Sequence, residues 1–269
     1  MTDPDELTLL DAPPFVLRTD AGHVATLTLD RPERRNALSV GMLDALADHL
    51  EAIDADRDVH VVVIAGNGPA FSAGHDLREL RDHHDPVFRE ALFAQCSDVM
   101  VAITRLRQPV IAKVAGVATA AGCQLVASCD LAVAGESARF ATPGVDIGLF
   151  CSTPMVALTR NVAPKHAMEL LLTGDLVPAT EAARIGLVNR VVPDADLDGA
   201  TQALAEQIAS KSPLTVAIGK EAYWRQRDLP LVEAYTYASS VMATSLVTSD
   251  AAEGIDAFLT KRTPIWKGQ

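Results

Sequence analysis

The sequence has few basic and few aromatic residues. Its 269 residues include 23 Lys and Arg against 35 Asp and Glu, a formal net charge of −12, and only 4% are aromatic. No block or stripe of Lys and Arg interrupts this acidic composition. We therefore expect no nucleic-acid partner and no membrane partner. A small anionic ligand stays compatible with the sequence, because a local group of arginines can oppose the overall charge.

Long apolar runs and metal-type cysteine spacings are also missing. No run approaches the roughly 20 apolar residues of a membrane span. The four cysteines, Cys96, Cys123, Cys129 and Cys151, lie in apolar surroundings, which predicts reduced core thiols and no metal site. The N-terminal stretch MTDPDELTLLDAPP is acidic and has no Arg, unlike a secretion signal or an organelle transit peptide. Together these features predict a cytoplasmic protein.

No predicted strand is followed by G-x-G-x-x-G, so the sequence argues against a dinucleotide-binding protein. Instead, predicted strands and helices alternate and are followed by a helical tail, which favours an α/β core with a C-terminal helical layer. We expect a flexible lead-in over residues 1–13, the core over residues 14–194 and a helical region over residues 195–269.

Local patterns predict several of these elements. The run HVVVIA at residues 60–65 is apolar and of strand length, as in a sheet that is buried on both faces, and residues 110–114 are predicted as a second buried strand. Ser39 precedes a helix with apolar residues at spacings of three and four, and it is placed to cap that helix. A longer helix is predicted over residues 86–107.

The stretch from Pro109 to Asp130 is the centre of the predicted core. A buried strand is followed by a turn at Gly116 and by the small residues 119–122, which lead into a helix. Small residues allow another backbone or a ligand to approach closely, and the first turn of a helix has unpaired N–H groups. This geometry suits the stabilisation of an oxyanion. Close packing of a helix on a strand explains the same residues, and both interpretations stay open.

A second small-residue turn, Ser72-Ala73-Gly74, follows the strand at 60–65 and precedes His75. If the two turns are adjacent in space, each can offer one backbone amide to the same carbonyl oxygen. The sequence thus predicts a two-amide site for an oxyanion.

Six motifs then occur in a specific order: DRPERRNAL, AFSAGHDL, VAGVATAAGCQLVASCDLAVA, FATPGVDIGL, AARIGLVNRVV and AFLTKRTP. In this order they resemble the crotonase superfamily, the enoyl-CoA hydratases and isomerases of fatty acid metabolism, over about residues 15–266. The loop TPGVDIGLFCSTP is most similar to one vertebrate subgroup of that family. The resemblance implies a spiral core of ββα repeats and C-terminal helices that build homotrimers, often paired into hexamers. It also implies an acyl-CoA thioester as ligand and no cofactor beyond the coenzyme A of the substrate.

The resemblance further implies roles for individual residues. The backbone N–H groups of His75 and Ala121 would form the oxyanion hole, with Ala121 standing where the family usually has glycine. The residues that would contact the CoA ester, with Phe258 and Lys261 able to act across subunits, are Arg35, Ala37, Ala73, Gly74, His75, Asp76, Leu77, Val117, Thr119, Ala121, Phe258 and Lys261.

The sequence departs from the family at the two glutamates that hydratases use to position water and move its proton. Gln124 and Gly144 stand at those positions. A glutamine can orient water but cannot exchange a proton near neutral pH, and losing one general acid or base typically costs about 10²–10⁴-fold in rate. We therefore expect weak or no standard hydration, and isomerisation is disfavoured for the same reason.

Other groups could replace the glutamates. Asp146 follows Gly144 by two residues, so in an extended segment it would point to the same face; a capping or solvated carboxylate is the alternative. Cys151 and Ser152 are predicted as a buried thiol and a helix cap rather than as reactive groups. His75 contributes either its backbone alone or its side chain as well.

Three functions follow as alternatives. The first is a crotonase-family enzyme, nominally a hydratase or isomerase. The second is a decarboxylase or hydrolase of the same fold, because SAGHD resembles the decarboxylase branch, where no glutamate pair is needed. The third is a non-catalytic acyl-CoA-binding protein, which would bind the ester without turnover.

Overall fold

The computed structural model describes residues 13–269. Its strands are β1 (Val16–Ala21), β2 (Val24–Leu29), β3 (Val61–Gly66), β4 (Ala70–Ser72), β5 (Val110–Val114), β6 (Val117–Thr119), β7 (Leu131–Gly135), β8 (Arg139–Ala141), β9 (Val177–Pro178) and β10 (Arg190–Val192). Its α-helices are α1 (Val40–Ala55), α2 (Leu77–Asp82), α3 (Pro86–Arg105), α4 (Ala121–Ser128), α5 (Ser152–Leu158), α6 (Pro164–Thr173), α7 (Ala179–Arg184), α8 (Leu197–Ala209), α9 (Pro213–Gln226), α10 (Leu231–Ser245) and α11 (Ser249–Thr260).

The strands form two sheets that the chain visits in turn. One sheet has the order β1-β2-β3-β5-β7-β10 and the other the order β4-β6-β8-β9. Each of the pairs β3/β4, β5/β6 and β7/β8 places one strand in each sheet, and neighbouring repeats pair in parallel. This stacking of repeats confirms the predicted α/β spiral.

The larger sheet is buried on both faces, as the apolar run at residues 60–65 predicts. In β3, Val62 and Ile64 belong to the main core cluster, which also includes residues of α1 and α3. Val61 and Val63 point to the other face, where they pack with Leu197 and other residues of α8. Alternate residues of one strand therefore fill two cores, which explains why β3 has no polar side chain.

Several predicted boundaries agree with the structure. The strand at 110–114 matches β5, and the Ser39 hydroxyl accepts a hydrogen bond from Met42 N at 3.3 Å, capping α1. The predicted division at residues 194/195 stays a prediction, and α8 directly after it packs on the sheet. The predicted lead-in over residues 1–13 lies, apart from residue 13, outside the described residues.

Helix α9 is attached to the core by a buried charge. Lys220 Nζ is 2.7 Å from a carboxylate oxygen of Asp130 and donates to the carbonyl oxygens of Ile103 and Gln108, each at 2.9 Å. The same Asp130 oxygen accepts the N–H of Val110 at 2.7 Å. Because a buried ammonium is costly without such partners, these contacts fix α9 against the ends of α3, β5 and α4.

The last two helices are far less buried. No residue of α10 is buried within one chain, and large apolar side chains such as Tyr235 and Phe258 are 70% and 83% exposed. Within the part of the chain that the structure describes, no helix is both long and apolar enough to cross a membrane.

Candidate functional site

Three segments meet at one end of the smaller sheet: the loop before α1, the turn after β4, and the connection from β6 to α4. Leu38 N donates to Gly74 O at 2.8 Å, and Ala73 N donates to Arg35 O at 3.0 Å. On the other side, the Thr119 hydroxyl donates to Ala73 O at 3.2 Å. The turn after β4 is therefore held between the other two segments.

Asn36, which was not among the predicted site residues, organises the first of these segments. It is fully buried and has a left-handed backbone with φ of 51°, a conformation that Asn adopts more readily than most residues. Its amide nitrogen donates to Asn67 O and Ala70 O at 2.9 and 2.8 Å, and its amide oxygen accepts Arg31 N at 2.9 Å. The signal in the sequence that could have identified Asn36 is its position directly after several charged residues.

The two small-residue turns touch each other, and glycines make this possible. Gly74 has φ of +90°, and a Cβ there would lie 2.8 Å from Ala120 Cβ and 3.1 Å from Ala121 N. A Cβ on Gly122 would overlap the carbonyl oxygen of Ser72. Any side chain at either position would separate the turns, so the small residues here serve the packing and also bring two backbone segments together.

The backbone of this junction presents two free N–H groups. Ala120 has φ of 50° and ψ of −119° before the first residue of α4, Ala121, a conformation that costs a non-glycine residue about 1–3 kcal/mol. Within residues 13–269, neither the N–H of His75 nor that of Ala121 donates to a protein acceptor. A strained backbone next to two unpaired donors indicates a site for an acceptor such as a carbonyl oxygen.

The His75 side chain is largely enclosed. Its Nδ1 lies 3.2 Å from Leu38 O, and its ring meets the edge of Phe93 at a centroid distance of 5.1 Å. Burial lowers the pKa of His75 below its usual value, against a smaller opposing effect of the Leu38 hydrogen bond. The imidazole is therefore neutral at pH 7.

Gln124 lies one turn into α4 and is only 4% exposed. Its side-chain oxygen Oε1 is buried without a hydrogen-bond partner among residues 13–269. The residue borders a cavity of about 920 Å³ between α3, α4, α5 and α9, which Ser97 and Met100 also line. The position is thus polar, buried and open toward unfilled space.

Gly144 is enclosed by its own loop. It lies in the 3₁₀ turn Pro143–Ile147, and a Cβ there would be 2.7 Å from Leu149 O and 2.9 Å from Cys151 Sγ. Burial raises the pKa of the Cys151 thiol, and a hydrogen bond from the Gly144 backbone opposes this. The thiol and the loop backbone therefore occupy the space that a side chain at position 144 would need.

The structure does not support the extended conformation that the sequence suggested around Asp146. The segment is a 3₁₀ turn, so residues two apart do not share a face. Asp146 is exposed, with a carboxylate oxygen beside Gly174, and the structure does not bring it to the two turns. The helix α5 begins at Ser152 with Cys151 as its N-cap residue, so the predicted Ser152 cap is wrong.

The remaining predicted residues lie in two places. Asp76 caps α2 by accepting Arg78 N at 2.9 Å, Leu77 follows it and is 54% exposed, and Val117 begins β6. These residues and Ala37 belong to the segments that meet at the site. By contrast, Phe258 is 83% exposed on α11 and Lys261 ends that helix, so neither is buried against the two turns within one chain.

Comparisons with known proteins agree with this architecture. A family model described as enoyl-CoA hydratase/isomerase matches residues 19–269. A crystal structure described as enoyl-CoA hydratase from Mycobacterium smegmatis is 50% identical, with a TM-score of 0.92, and the match covers 94% of this chain and 99% of that one.

Relatives with one shared name match the chain as well. The human enoyl-CoA hydratase domain-containing protein 3 is 47% identical over 90% of this chain and 80% of that protein, and its crystal structure superimposes with a TM-score of 0.92, over 94% of this chain and 100% of that chain. The mouse protein of that name is 46% identical over 90% of this chain and 81% of the mouse protein. These matches confirm the similarity to one vertebrate subgroup.

The names of these relatives contradict the predicted cytoplasmic location. The human and mouse proteins are both described as mitochondrial. The prediction relied partly on free thiols, which indicate a reducing compartment but do not identify it.

Proposed function

The chain belongs to the enoyl-CoA hydratase/isomerase family, and on that premise we propose that it binds an acyl-CoA thioester and stabilises the enolate of that ester. The observation that carries the proposal is the contact between the two turns, where the N–H groups of His75 and Ala121 have no protein acceptor within residues 13–269. Two such donors favour the state in which negative charge has moved onto the thioester oxygen, and one donor is typically worth about 3 kcal/mol.

The surrounding loops supply the proposed CoA contacts. Arg35 and Ala37 lie on the segment that is hydrogen-bonded to Ala73 and Gly74, and the exposed Leu77 lies on the other side of that turn. We assign these residues to the CoA part of the ligand. The proposed chemistry requires no cofactor beyond the coenzyme A of the ester.

The residues at the two glutamate positions cannot transfer a proton as a glutamate pair does. Gln124 has no titratable group, and Gly144 has no side chain. The same two residues favour a second candidate function, a protein that binds acyl-CoA without turnover. Binding and turnover are therefore measured separately, turnover with crotonyl-CoA and with a malonyl-type CoA ester.

The substitution Ala121→Pro tests the oxyanion site. Ala121 is the first residue of α4, the helix position that tolerates proline best, and proline removes the N–H. We expect turnover to fall by about 10²–10³-fold, as for other single oxyanion donors. If the protein only binds, the expected result is weaker binding of the CoA ester in calorimetry.

The matched control is Ala121→Gly, which keeps the N–H and introduces the residue usual in the family. Circular dichroism and thermal unfolding confirm that both variants fold. A folded Ala121→Pro variant that binds and reacts like Ala121→Gly would contradict the proposed oxyanion site.

We also propose that the chain assembles as a homotrimer or a hexamer of two trimers. The support is the group of apolar side chains on α10 and α11 that are more than half exposed within one chain, since contiguous exposed apolar surface marks interaction sites. In an assembly, Phe258 and Lys261 on α11 become available to a neighbouring subunit. Sedimentation velocity should show a trimer or hexamer at micromolar concentration, and a stable monomer would contradict the assembly.

A further inference from the structure

The large cavity beside Gln124 begins near the oxyanion site. Gln124 follows Ala121 by three residues in α4, so the two residues are neighbours on one face of that helix. Ala127 and Ser128, three and four residues further along α4, line the same cavity of about 920 Å³. The cavity therefore extends along α4, away from the N–H of Ala121.

Helix α3 forms a second wall of the cavity with a single face. Phe93, one turn before this face, contacts the His75 ring at a centroid distance of 5.1 Å, so the face begins at the end near the oxyanion site. Four residues of α3 at spacings of three and four line the cavity, namely Ser97, Met100, Val101 and Thr104.

These walls suit a hydrocarbon chain of medium length. From Ser97 to Arg105, α3 advances by about 12 Å, at about 1.5 Å per residue. An extended hydrocarbon chain with C–C bonds of about 1.5 Å advances by about 1.3 Å per carbon, so the wall spans about eight to ten carbon atoms. The lining of α9 includes Leu214, Ala217 and Ile218, and small and apolar side chains of this kind favour an acyl chain attached to the thioester.

The far end of the cavity lies where α3, α4 and α5 end. Lys220 of α9 donates to two carbonyl oxygens at the end of α3 and pairs with Asp130, which follows α4. Asn161, just after α5, donates to Ala127 O of α4 at 2.7 Å. These contacts bring the three helix ends together against the middle of α9.

Positive charge is in excess at this far end. Two acidic residues of α9, Glu221 and Asp228, line the cavity. Four arginines line it as well, at or just after the ends of α3 and α5 and in the last turn of α9: Arg105, Arg107, Arg160 and Arg225. The far end therefore has two more positive than negative charges, in a chain whose formal net charge is −12.

None of these four arginines forms an ion pair with a carboxylate of residues 13–269. Arg107 is half-buried and donates to Asp54 O at 3.1 Å, which gives it a structural role. The other three, Arg105, Arg160 and Arg225, are exposed within one chain. A guanidinium binds a carboxylate through two parallel hydrogen bonds, so the end of the cavity distant from the thioester suits a carboxylate.

We propose that the cavity binds an acyl-CoA whose chain of about eight to ten carbons ends in a second carboxylate, which Arg105, Arg160 and Arg225 receive. The inference rests on the proposed function, because the thioester at the other end of the chain must lie on the two amides. The apolar helix faces then contact the chain, and the arginines contact its charged end.

The direction of the effect distinguishes this site from a simple apolar cavity. A second carboxylate on the ligand is repelled by the net charge of −12, and it loses hydration in an apolar cavity. Without a local positive site, an ester that ends in a carboxylate should therefore bind more weakly than the ester of equal length that ends in a methyl group. Tighter binding requires the arginines.

Calorimetry with two CoA esters of equal chain length tests the proposal: the monothioester of decanedioic acid and decanoyl-CoA. We expect the wild-type protein to bind the first about five- to tenfold more tightly at low salt, and this preference should decrease at high salt because the arginines are exposed. In the variant Arg105→Gln/Arg160→Gln/Arg225→Gln the preference should disappear or invert. The affinity for decanoyl-CoA should stay within about twofold, since exposed arginines contribute little to stability.

Two control variants separate the charge of the arginines from their structural contribution. The variant Arg105→Lys/Arg160→Lys/Arg225→Lys keeps the charge and should retain part of the preference. Arg190→Gln removes an exposed arginine on β10, outside the cavity, and should keep all of it. Circular dichroism confirms that each variant folds.

Equal or weaker binding of the decanedioic ester by the wild-type protein would overturn this inference and leave the proposed function intact. A triple glutamine variant that keeps the preference would overturn it as well. Weaker binding of free coenzyme A by that variant would show that the arginines contact the CoA phosphates instead of the acyl chain. Failure of the wild-type protein to bind either ester would overturn the proposed function itself.

Discussion

Gln124 and Gly144 stand at the two positions where the family resemblance places glutamates, and the structure treats them differently. Gln124 keeps a polar side chain and borders a cavity, and its side-chain oxygen has no hydrogen-bond partner in the part of the chain that the structure describes. Gly144 lies under Leu149 O and Cys151 Sγ, with no room for a Cβ. At position 124 only the functional group differs from that of glutamate. At position 144 the loop that follows fills the space that a side chain would need. A carboxylate could return to the first by a single substitution but not to the second.

Among the substitutions that test this comparison, we expect Gly144→Glu to have the largest effect on stability. The new Cβ would lie 2.7 Å from a backbone oxygen, so the 149–151 loop would have to move. We expect the free energy of unfolding to fall by about 3 kcal/mol, measured by urea denaturation.

The control is Gly199→Ala, because Gly199 lies in α8 with nothing near its missing side chain. It should gain about 0.5–1 kcal/mol from helix propensity. The variant Cys151→Ala with Gly144→Ala separates the thiol contact from the backbone contact. If Gly144→Glu unfolds at the same urea concentration as the wild type, the loop opens easily and the comparison fails.

A smaller effect is expected from Gln124→Glu. Burial should raise the pKa of the new carboxyl above its unfolded value of about 4.3. The penalty is then absent below that value and grows as the pH rises, until the carboxyl ionises in the folded state. At pH 7 we expect a loss of about 1–2 kcal/mol relative to the wild type, with less loss at pH 5.

The control for this position is Gln124→Met, which removes the unpaired oxygen and keeps a similar shape. It should be neutral or slightly stabilising, because an unpaired buried acceptor is costly. Urea denaturation of both variants at several pH values provides the measurement. A Gln124→Glu variant whose deficit does not change with pH would show that the carboxyl at position 124 is solvated rather than buried.

The sequence predicted those features of the structure that depend on residues close to one another in the chain. Strand β5 follows from a mostly apolar stretch and the cap of α1 from one hydroxyl, and both agree with the structure. The contact between the two small-residue turns could also be predicted from the sequence. Gly74 and Gly122 lie in motifs of small residues, which have few functions other than allowing close approach. The order of the six motifs along the chain then indicated the family.

Other features depend on residues that are distant in the chain or on the exact backbone path. The burial of Asn36 requires Asn67 and Ala70 on another segment. The 3₁₀ turn that directs Asp146 outward and the covering of Gly144 by Cys151 depend on how one loop folds back on itself. No pattern of spacing reveals these contacts.

The ammonium of Lys220 divides the C-terminal helices into two kinds. Separating α9 from the core would leave Lys220 and Asp130 without each other and two carbonyl oxygens without a donor, so α9 moves only if the core itself unfolds. Among residues 13–269, no comparable buried charge holds α10, which buries none of its residues. The position of α9, and with it one wall of the large cavity, is therefore set during the folding of a single chain. The placement of α10 and α11 is left to whatever surface covers their apolar side chains, so cavity shape and assembly can vary independently of each other.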